Sequence, residues 1–326
     1  MIAWMFPGQG SQTAGMAAGI AACNELFENA SPIVGVDLER LCTTDPDPTW
    51  SPEVLQCALY TTCVGVARGM QTRGLEPDAV VGHSLGEFAA LVAAKGLSFE
   101  DGLRVVAVRG KAMAAAGQRH PGGMAAVIGL DAEVIEEICS KAGDVWVANL
   151  NSPKQTVISG KDRPLAQAAE QCRHAGASRV IRINVPIAGH CPLMEPAAEA
   201  VQKVLADVSL SETRCPIYCN ADGRPHTEAG EIRDLIVKAI TSRVRFVDAV
   251  RAMEQDGVSV FVETGPGKVL RGLVRQTLKG AELDAVANDE QADELARQKP
   301  PEGSGEKKSP RPSASPAFST ATGGSS

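Results

Sequence analysis

The stretch Ala79-Val80-Val81-Gly82-His83-Ser84-Leu85-Gly86-Glu87 joins a short apolar run to a glycine–x–serine–x–glycine turn. Residues 87–95, rich in Ala, Leu and Phe, continue it as a predicted helix. The run predicts a buried strand ending where the glycines begin. A sharp turn between such a strand and such a helix lifts a serine hydroxyl out at the end of a parallel sheet. The first N–H groups of the helix then point at that serine and at any oxyanion formed on it. Ser84 is the candidate nucleophile.

Outward from this turn, residues 2–6 read as a strand ending at Pro7-Gly8, and residues 99–116 as a helix with Leu103, Val106, Val108 and Met113 at helical spacing. Residues 258–263, 264–267 and 268–278 read as strand, turn and helix. Strands alternating with helices predict an α/β fold with a parallel sheet. The middle of the chain has another rhythm. Residues 124–129, 132–142, 145–149, 156–159, 164–175 and 178–184 read as strand, helix, strand, strand, helix and strand, with Asn151-Ser152-Pro153 as the turn between the central strands. That β-α-β-β-α-β order is ferredoxin-like. The expected organisation is a large domain from 1–121 and 189–285, an inserted ferredoxin-like subdomain over 122–188, and a tail over 286–326. Residues 298–326 hold five Pro, seven Ser and four Gly, a composition expected to be disordered. Residues 282–297 are polar and read as a helical transition.

Composition narrows the functional classes. With 326 residues, 44% hydrophobic and 22% charged, the chain can bury a core without disulfides or structural metal. A net charge of −7 argues against nucleic-acid binding as its main task. No stretch approaches a membrane span, no basic region precedes the apolar start, and a cytoplasmic protein is expected. The nine cysteines form no CxxC pair, so no metal is expected and the thiols read as small buried hydrophobes in a reducing compartment.

A nucleophilic serine needs a base. His83 sits on the serine's own turn, and its side chain does not easily face Ser84. His120 lies in a loop, His174 on a predicted amphipathic helix, and His226 in a turn after Arg224-Pro225. His190, in Pro186-Ile187-Ala188-Gly189-His190-Cys191-Pro192-Leu193-Met194, is the best candidate, because the chain there returns from the inserted subdomain to the large domain. No carboxylate between residues 84 and 190 stands out as its partner, which leaves a backbone carbonyl. The loop Phe6-Pro7-Gly8-Gln9-Gly10-Ser11-Gln12 follows the first strand and brings backbone N–H groups within reach of a ligand. It is not a P-loop.

GQGSQ at 8–12, GHSLGE at 82–87, VRG at 108–110, NSPKQ at 151–155, GHCPLM at 189–194 and ETGPGKVL at 263–270 occur in that order. Together they resemble the malonyl-CoA:acyl carrier protein transacylases of fatty acid and polyketide synthesis, over roughly residues 1–280. The resemblance implies an α/β-hydrolase-like large domain carrying the ferredoxin-like insert. It implies acylation of Ser84, His190 as base, an oxyanion hole from the amides of Gln9 and Leu85, and a main-chain carbonyl on the histidine, matched to Arg245. It implies that Arg109 grips the free carboxylate of malonyl, with His83, Asn151 and Gly189 in the substrate pocket.

Malonyl-CoA is then a substrate, no cofactor is needed, and an acidic carrier protein is the partner of a monomer. The docking candidates are Lys154, Arg179, Arg182, Lys268, Arg271 and Arg275. Gly189 stands where related polyketide acyltransferases that use malonyl often carry Phe and those that use methylmalonyl tend to carry Ser, so a substituted unit stays open. The other readings are a carrier-protein hydrolase of the same fold, a malonyl-loading enzyme for a malonate decarboxylase and a non-catalytic docking module.

Overall fold

Strand β1 (Ile2–Phe6) and strand β2 (Ala79–Gly82) are apolar and almost entirely buried, the pattern of central strands covered by helices on both faces. The computed structural model describes residues 1–44 and 50–298, and it pairs the two in parallel from Ala3↔Ala79 to Phe6↔Gly82. Between them run α1 (Cys23–Val34), α2 (Leu38–Thr44) and α3 (Pro52–Thr72). After β2 come α4 (Gly86–Ala93) and α5 (Phe99–Arg119). The chain continues through β3 (Gly122–Ile128), α6 (Ala132–Ala142), β4 (Val145–Ser152), β5 (Gln155–Lys161), α7 (Asp162–His174) and β6 (Arg179–Ile183). It returns through α8 (Glu195–Ala206), β7 (Ile217–Tyr218), β8 (Pro225–His226), α9 (Ala229–Thr241) and α10 (Phe246–Gln255). The last elements are β9 (Val260–Thr264), α11 (Val269–Thr277), β10 (Glu282–Val286) and α12 (Asp289–Gln298).

The result is an α/β fold with two sheets. The larger has the order β10-β9-β1-β2-β7-β8, parallel except for β8 against β7. Side chains alternate across it. Trp4 and Phe6 enter one apolar cluster with Leu26, Leu59 and Phe88, while Ala3 and Met5 enter another with Phe246 and Phe261. Each fully buried side chain of this size contributes roughly 1.5–3 kcal/mol of transfer free energy. The smaller sheet, β4-β5-β3-β6, is antiparallel throughout. Its own core holds Ile135, Ile158, Ala168 and Cys172 beneath α6 and α7.

The two sheets are stitched together beside the site. Val244 N–H donates to the Ala148 carbonyl at 2.8 Å, and Leu150 N–H donates to the Val244 carbonyl at 2.8 Å. The loop before α10 thereby adds a parallel bridge to β4.

Three expectations need correction. β4 runs through Ser152, so Asn151 and Ser152 are strand residues and the turn begins at Pro153. Residues 282–297 are not one helix: Glu282–Val286 is a parallel edge strand on β9, and only Asp289–Gln298 is helical. A free β9 edge supplies the backbone partners that a polar local sequence does not advertise. The boundary at 286 therefore fails for Val286 and α12. Arg73, which caps the C-terminus of α3, pairs with Asp289 at 3.2 Å and with Asp293 at 2.6 Å, which holds that helix in place. The remainder of the expected tail, 299–326, lies outside the described residues.

All nine cysteines are free, and all but Cys215 are buried. Among the described residues no helix is long and apolar enough to cross a membrane, and no group of three or more His, Cys, Asp or Glu is placed to hold a metal ion.

Candidate active site

Ser84 occupies the turn between β2 and α4 with φ +54°, a left-handed conformation that a non-glycine residue adopts only under constraint. Its neighbours explain the motif. A Cβ on Gly82 would lie 2.0 Å from Glu87 N, and one on Gly86 would lie 2.0 Å from the Phe6 carbonyl oxygen. Only hydrogen fits at either place, so both glycines are steric requirements of the turn. Gly8 is held equally close, 2.5 Å from the His83 carbonyl oxygen, which brings the first loop against the turn.

His190 comes from the returning segment and also has positive φ, +60°. The Ser84 Oγ–H donates to His190 Nε2 at 2.7 Å, and His190 Nδ1–H donates to the Ala239 carbonyl oxygen at 2.7 Å. A carbonyl only accepts, so the proton sits on Nδ1 and the Nε2 lone pair faces the serine. The partner carbonyl is Ala239, in the last turn of α9. It is not Arg245, whose carbonyl accepts the Ala249 N–H at 3.0 Å in the first turn of α10. The loop 242–245 is drawn into the bridge with β4, leaving the end of α9 over the imidazole. Burial, with the nearby Arg109 charge, lowers the His190 pKa to about 3, so the ring is neutral at pH 7.

Arg109, on α5, is 2% exposed. Its Nη2–H donates to Ser84 Oγ at 2.9 Å and its Nη1–H to Gln56 Oε1 at 2.5 Å. Burial lowers its pKa to about 10 against the opposing field of Glu87, so the guanidinium stays charged at neutral pH. Among the described residues no carboxylate hydrogen-bonds to it. Glu87, also buried, is pushed up to about 7 by burial.

Ser84 and His190 line an open cleft of ≈ 420 Å³ between the two sheets, and Arg109 reaches its edge through Ser84 Oγ. Gln9, His83, Asn151 and Gly189 all line it. His83 does not face the serine: its Nε2–H donates to Asn151 Oδ1 at 2.8 Å, and burial lowers its pKa. A Cβ on Gly189 would touch Met124 Sδ at 3.6 Å and Met113 Cε at 3.7 Å, ordinary contact distances. Leu85 is buried, and its amide sits at the start of α4. Neither the Gln9 nor the Leu85 N–H donates to another group among the described residues.

The expected basic patch is partly neutralised within the chain. Lys154 pairs with Asp131 at 2.7 Å, Arg182 pairs with Asp162, and Arg271 Nε lies 3.9 Å from the buried Glu263. Arg179, Lys268 and Arg275 are exposed.

Sequence reasoning missed three participants: Gln56, Asn220 and the Ala239 carbonyl. Gln56 alone had a signal, as a fully buried amide in the mostly apolar run Leu55–Ala67 of α3. Asn220 and Ala239 had none, because an asparagine just past a two-residue strand and a main-chain carbonyl carry no residue-type signal.

A serine raised at the end of a parallel sheet, bonded to a neutral imidazole and a buried guanidinium, defines the class as serine-based acyl transfer. The acyl transferase domain family model matches residues 3–299. A malonyl CoA-acyl carrier protein transacylase from Haemophilus influenzae is 39% identical over 298 residues, covering 87% of this chain and 94% of that protein. The solved malonyl CoA-acyl carrier protein transacylase of Coxiella burnetii superposes with TM-score 0.87 at 36% identity, over 91% of this chain and 97% of that one. A malonyl-transacylase solved in complex with its type II polyketide synthase acyl carrier protein gives TM-score 0.87 at 33% identity, over 91% and 99% of the two chains. The chain belongs to the malonyl-CoA:acyl carrier protein transacylase family.

Proposed function

We propose that this chain transfers malonyl from malonyl-CoA to the phosphopantetheine thiol of an acyl carrier protein through an ester on Ser84. The observation that carries the reading is the shared contact at Ser84 Oγ, with His190 Nε2 at 2.7 Å and Arg109 Nη2 at 2.9 Å. His190 takes the hydroxyl proton as Oγ attacks the thioester carbon, and the C–O bond forms as the carbonyl π pair moves to oxygen. The amides of Gln9 and Leu85 receive that oxyanion at the start of α4. The oxyanion collapses, the C–S bond breaks, and CoA sulfur leaves with the proton from His190. The carrier thiol repeats the steps in reverse.

Arg109 supplies the choice of acyl group. Its guanidinium touches Oγ in the free chain, so the carboxylate two carbons beyond a seryl ester carbonyl falls within its reach. A planar guanidinium binds a carboxylate with two charge-assisted hydrogen bonds. An acetyl ester leaves it without a counter-charge, at a cost of roughly 2–5 kcal/mol for a desolvated charge. That favours transfer of malonyl over hydrolysis of neutral acyl groups.

We read the large sheet and its helices as an α/β-hydrolase-like unit and residues 122–188, in β-α-β-β-α-β order, as a ferredoxin-like unit. Asn151 and Gly189 close the cleft from the second unit and the returning segment, and exposed Arg179, Lys268 and Arg275 face an acidic carrier. Intact-mass analysis after mixing with malonyl-CoA tests the reading. A malonyl adduct on the wild type and none on Ser84→Ala supports it, and free malonate released without a carrier protein supports a hydrolase instead.

A further inference from the structure

Asn220 sits just past β7 and is 2% exposed. Its backbone N–H and both ends of its side-chain amide converge on the serine turn or its support. Its Oδ1 accepts the Ser84 N–H at 2.8 Å, and its Nδ2–H donates to the Gly82 carbonyl at 2.8 Å. Its own N–H donates to Glu87 Oε1 at 2.8 Å, and its carbonyl accepts the Arg245 N–H at 2.9 Å.

The register of the sheet explains the arrangement. β2 and β7 pair in parallel at Val80↔Ile217 and Val81↔Tyr218. Beyond that point β2 bends into the turn and a backbone ladder cannot follow it. The Asn220 carboxamide presents one acceptor and one donor, as a peptide group does, and continues the ladder past its end. It holds the Gly82 carbonyl and the Ser84 N–H, the two peptide groups on either side of His83, immediately before the serine.

We infer that Asn220 is a positioning residue for acylation: its carboxamide, on a backbone held by Glu87, clamps Ser84 in the left-handed conformation that aims Oγ between His190 and Arg109. The inference rests on the transfer reading above. A left-handed serine is disfavoured by roughly 1–2 kcal/mol unless its surroundings over-determine it. Asn220 is the side chain that bonds both the Ser84 N–H and the Gly82 carbonyl, the peptide groups that lead into the serine. By occupying the Ser84 N–H, it also leaves the oxyanion to the amides of Leu85 and Gln9.

Single-turnover acylation by malonyl-CoA, read by intact mass beside thermal unfolding, tests the role in Asn220→Ala, Asn220→Asp, Glu87→Ala and Glu87→Gln. Wild type and Ser84→Ala run in parallel: a wild type that takes no malonyl overturns the transfer reading itself. With wild-type labelling intact, Asn220→Ala is expected to slow acylation by about 100-fold while the half-saturating malonyl-CoA concentration stays within about threefold. Asn220→Asp keeps an acceptor for Ser84 N–H but opposes a carboxylate to the Gly82 carbonyl, and it should slow acylation at least ~10-fold. Glu87→Ala should slow acylation, and Glu87→Gln, which still accepts the Asn220 N–H, should restore most of the rate. Acylation within about threefold of wild type in whichever Asn220 variant is recovered folded overturns the inference. So does a melting-temperature loss in that variant without a matching loss of acylation rate.

Discussion

His190 Nδ1 lies 2.7 Å from the Ala239 carbonyl oxygen, so a neutral main-chain group, not a carboxylate, fixes the tautomer of the imidazole that faces Ser84. A carbonyl orients the ring as a carboxylate does, but it adds no full negative charge to hold a proton on it. The nearest strong field is the positive one of Arg109, which together with burial keeps His190 neutral.

A pH dependence follows. With its pKa lowered to about 3, His190 remains a base throughout the neutral and mildly acidic range. The acylation rate should show no loss near pH 6.5 from this residue, and imidazole resonances of the folded chain should report neutral His190 at pH 5. Stability moves the other way: between about 6.5 and 3 only the unfolded chain protonates this histidine, so its contribution falls as the pH drops through that window. Glu87, raised to about 7, opposes it, because the folded chain holds that proton and loses the contribution as the pH rises toward 7. An acid limb near 6.5 that persists in Glu87→Gln would contradict the assignment to His190.

Arg109→Ala should lower kcat/KM for malonyl-CoA by at least ~30-fold, the lower end of the range for losing a partner of a buried charge. Acetyl-CoA labelling of Ser84 should rise relative to malonyl labelling. Competition between the two donors, read by intact mass, checks it, and an unchanged donor ratio would remove Arg109 from the selectivity argument.

Gly189 has room for a small side chain. Gly189→Ala should fold normally, since its Cβ meets Met124 and Met113 at 3.6 and 3.7 Å. Gly189→Phe must displace those methionine side chains into the cleft, and it should lower labelling by methylmalonyl-CoA more than by malonyl-CoA. Paired labelling rates for the two donors decide whether this position gates the α-carbon.

Gly86→Ala places a methyl 2.0 Å from the Phe6 carbonyl oxygen, a backbone atom in the central strand. Relief requires the turn or β1 to shift, at a cost of about 1–3 kcal/mol for overpacking. Thermal unfolding should show a lowered melting temperature, and the folded fraction should acylate more slowly than wild type because Ser84 moves with the turn.

Much of this was legible in advance. The glycines around Ser84 signalled a strand-to-helix turn, the middle of the chain displayed its β-α-β-β-α-β order, and the returning segment offered His190. Residues 282–286 were not legible as a strand, because the partner edge that makes them one is β9 and not their own side chains. The carbonyl over His190 was misplaced at Arg245 because every residue carries a carbonyl, and no residue type marks the one the fold will present.

The sequence alone determined the candidate nucleophile, its turn and the class of chemistry, because those follow from local steric rules: glycine where a Cβ meets backbone, an apolar run where a strand is buried. Only the tertiary structure decided that Ala239 orients His190, that Gln56 and Ser84 share the Arg109 guanidinium, and that Asn220 completes the ladder at Ser84. Those relationships join residues from separate elements through single hydrogen bonds. Which polar groups meet is fixed by how the sheets and helices pack, and the chain records it nowhere as a pattern.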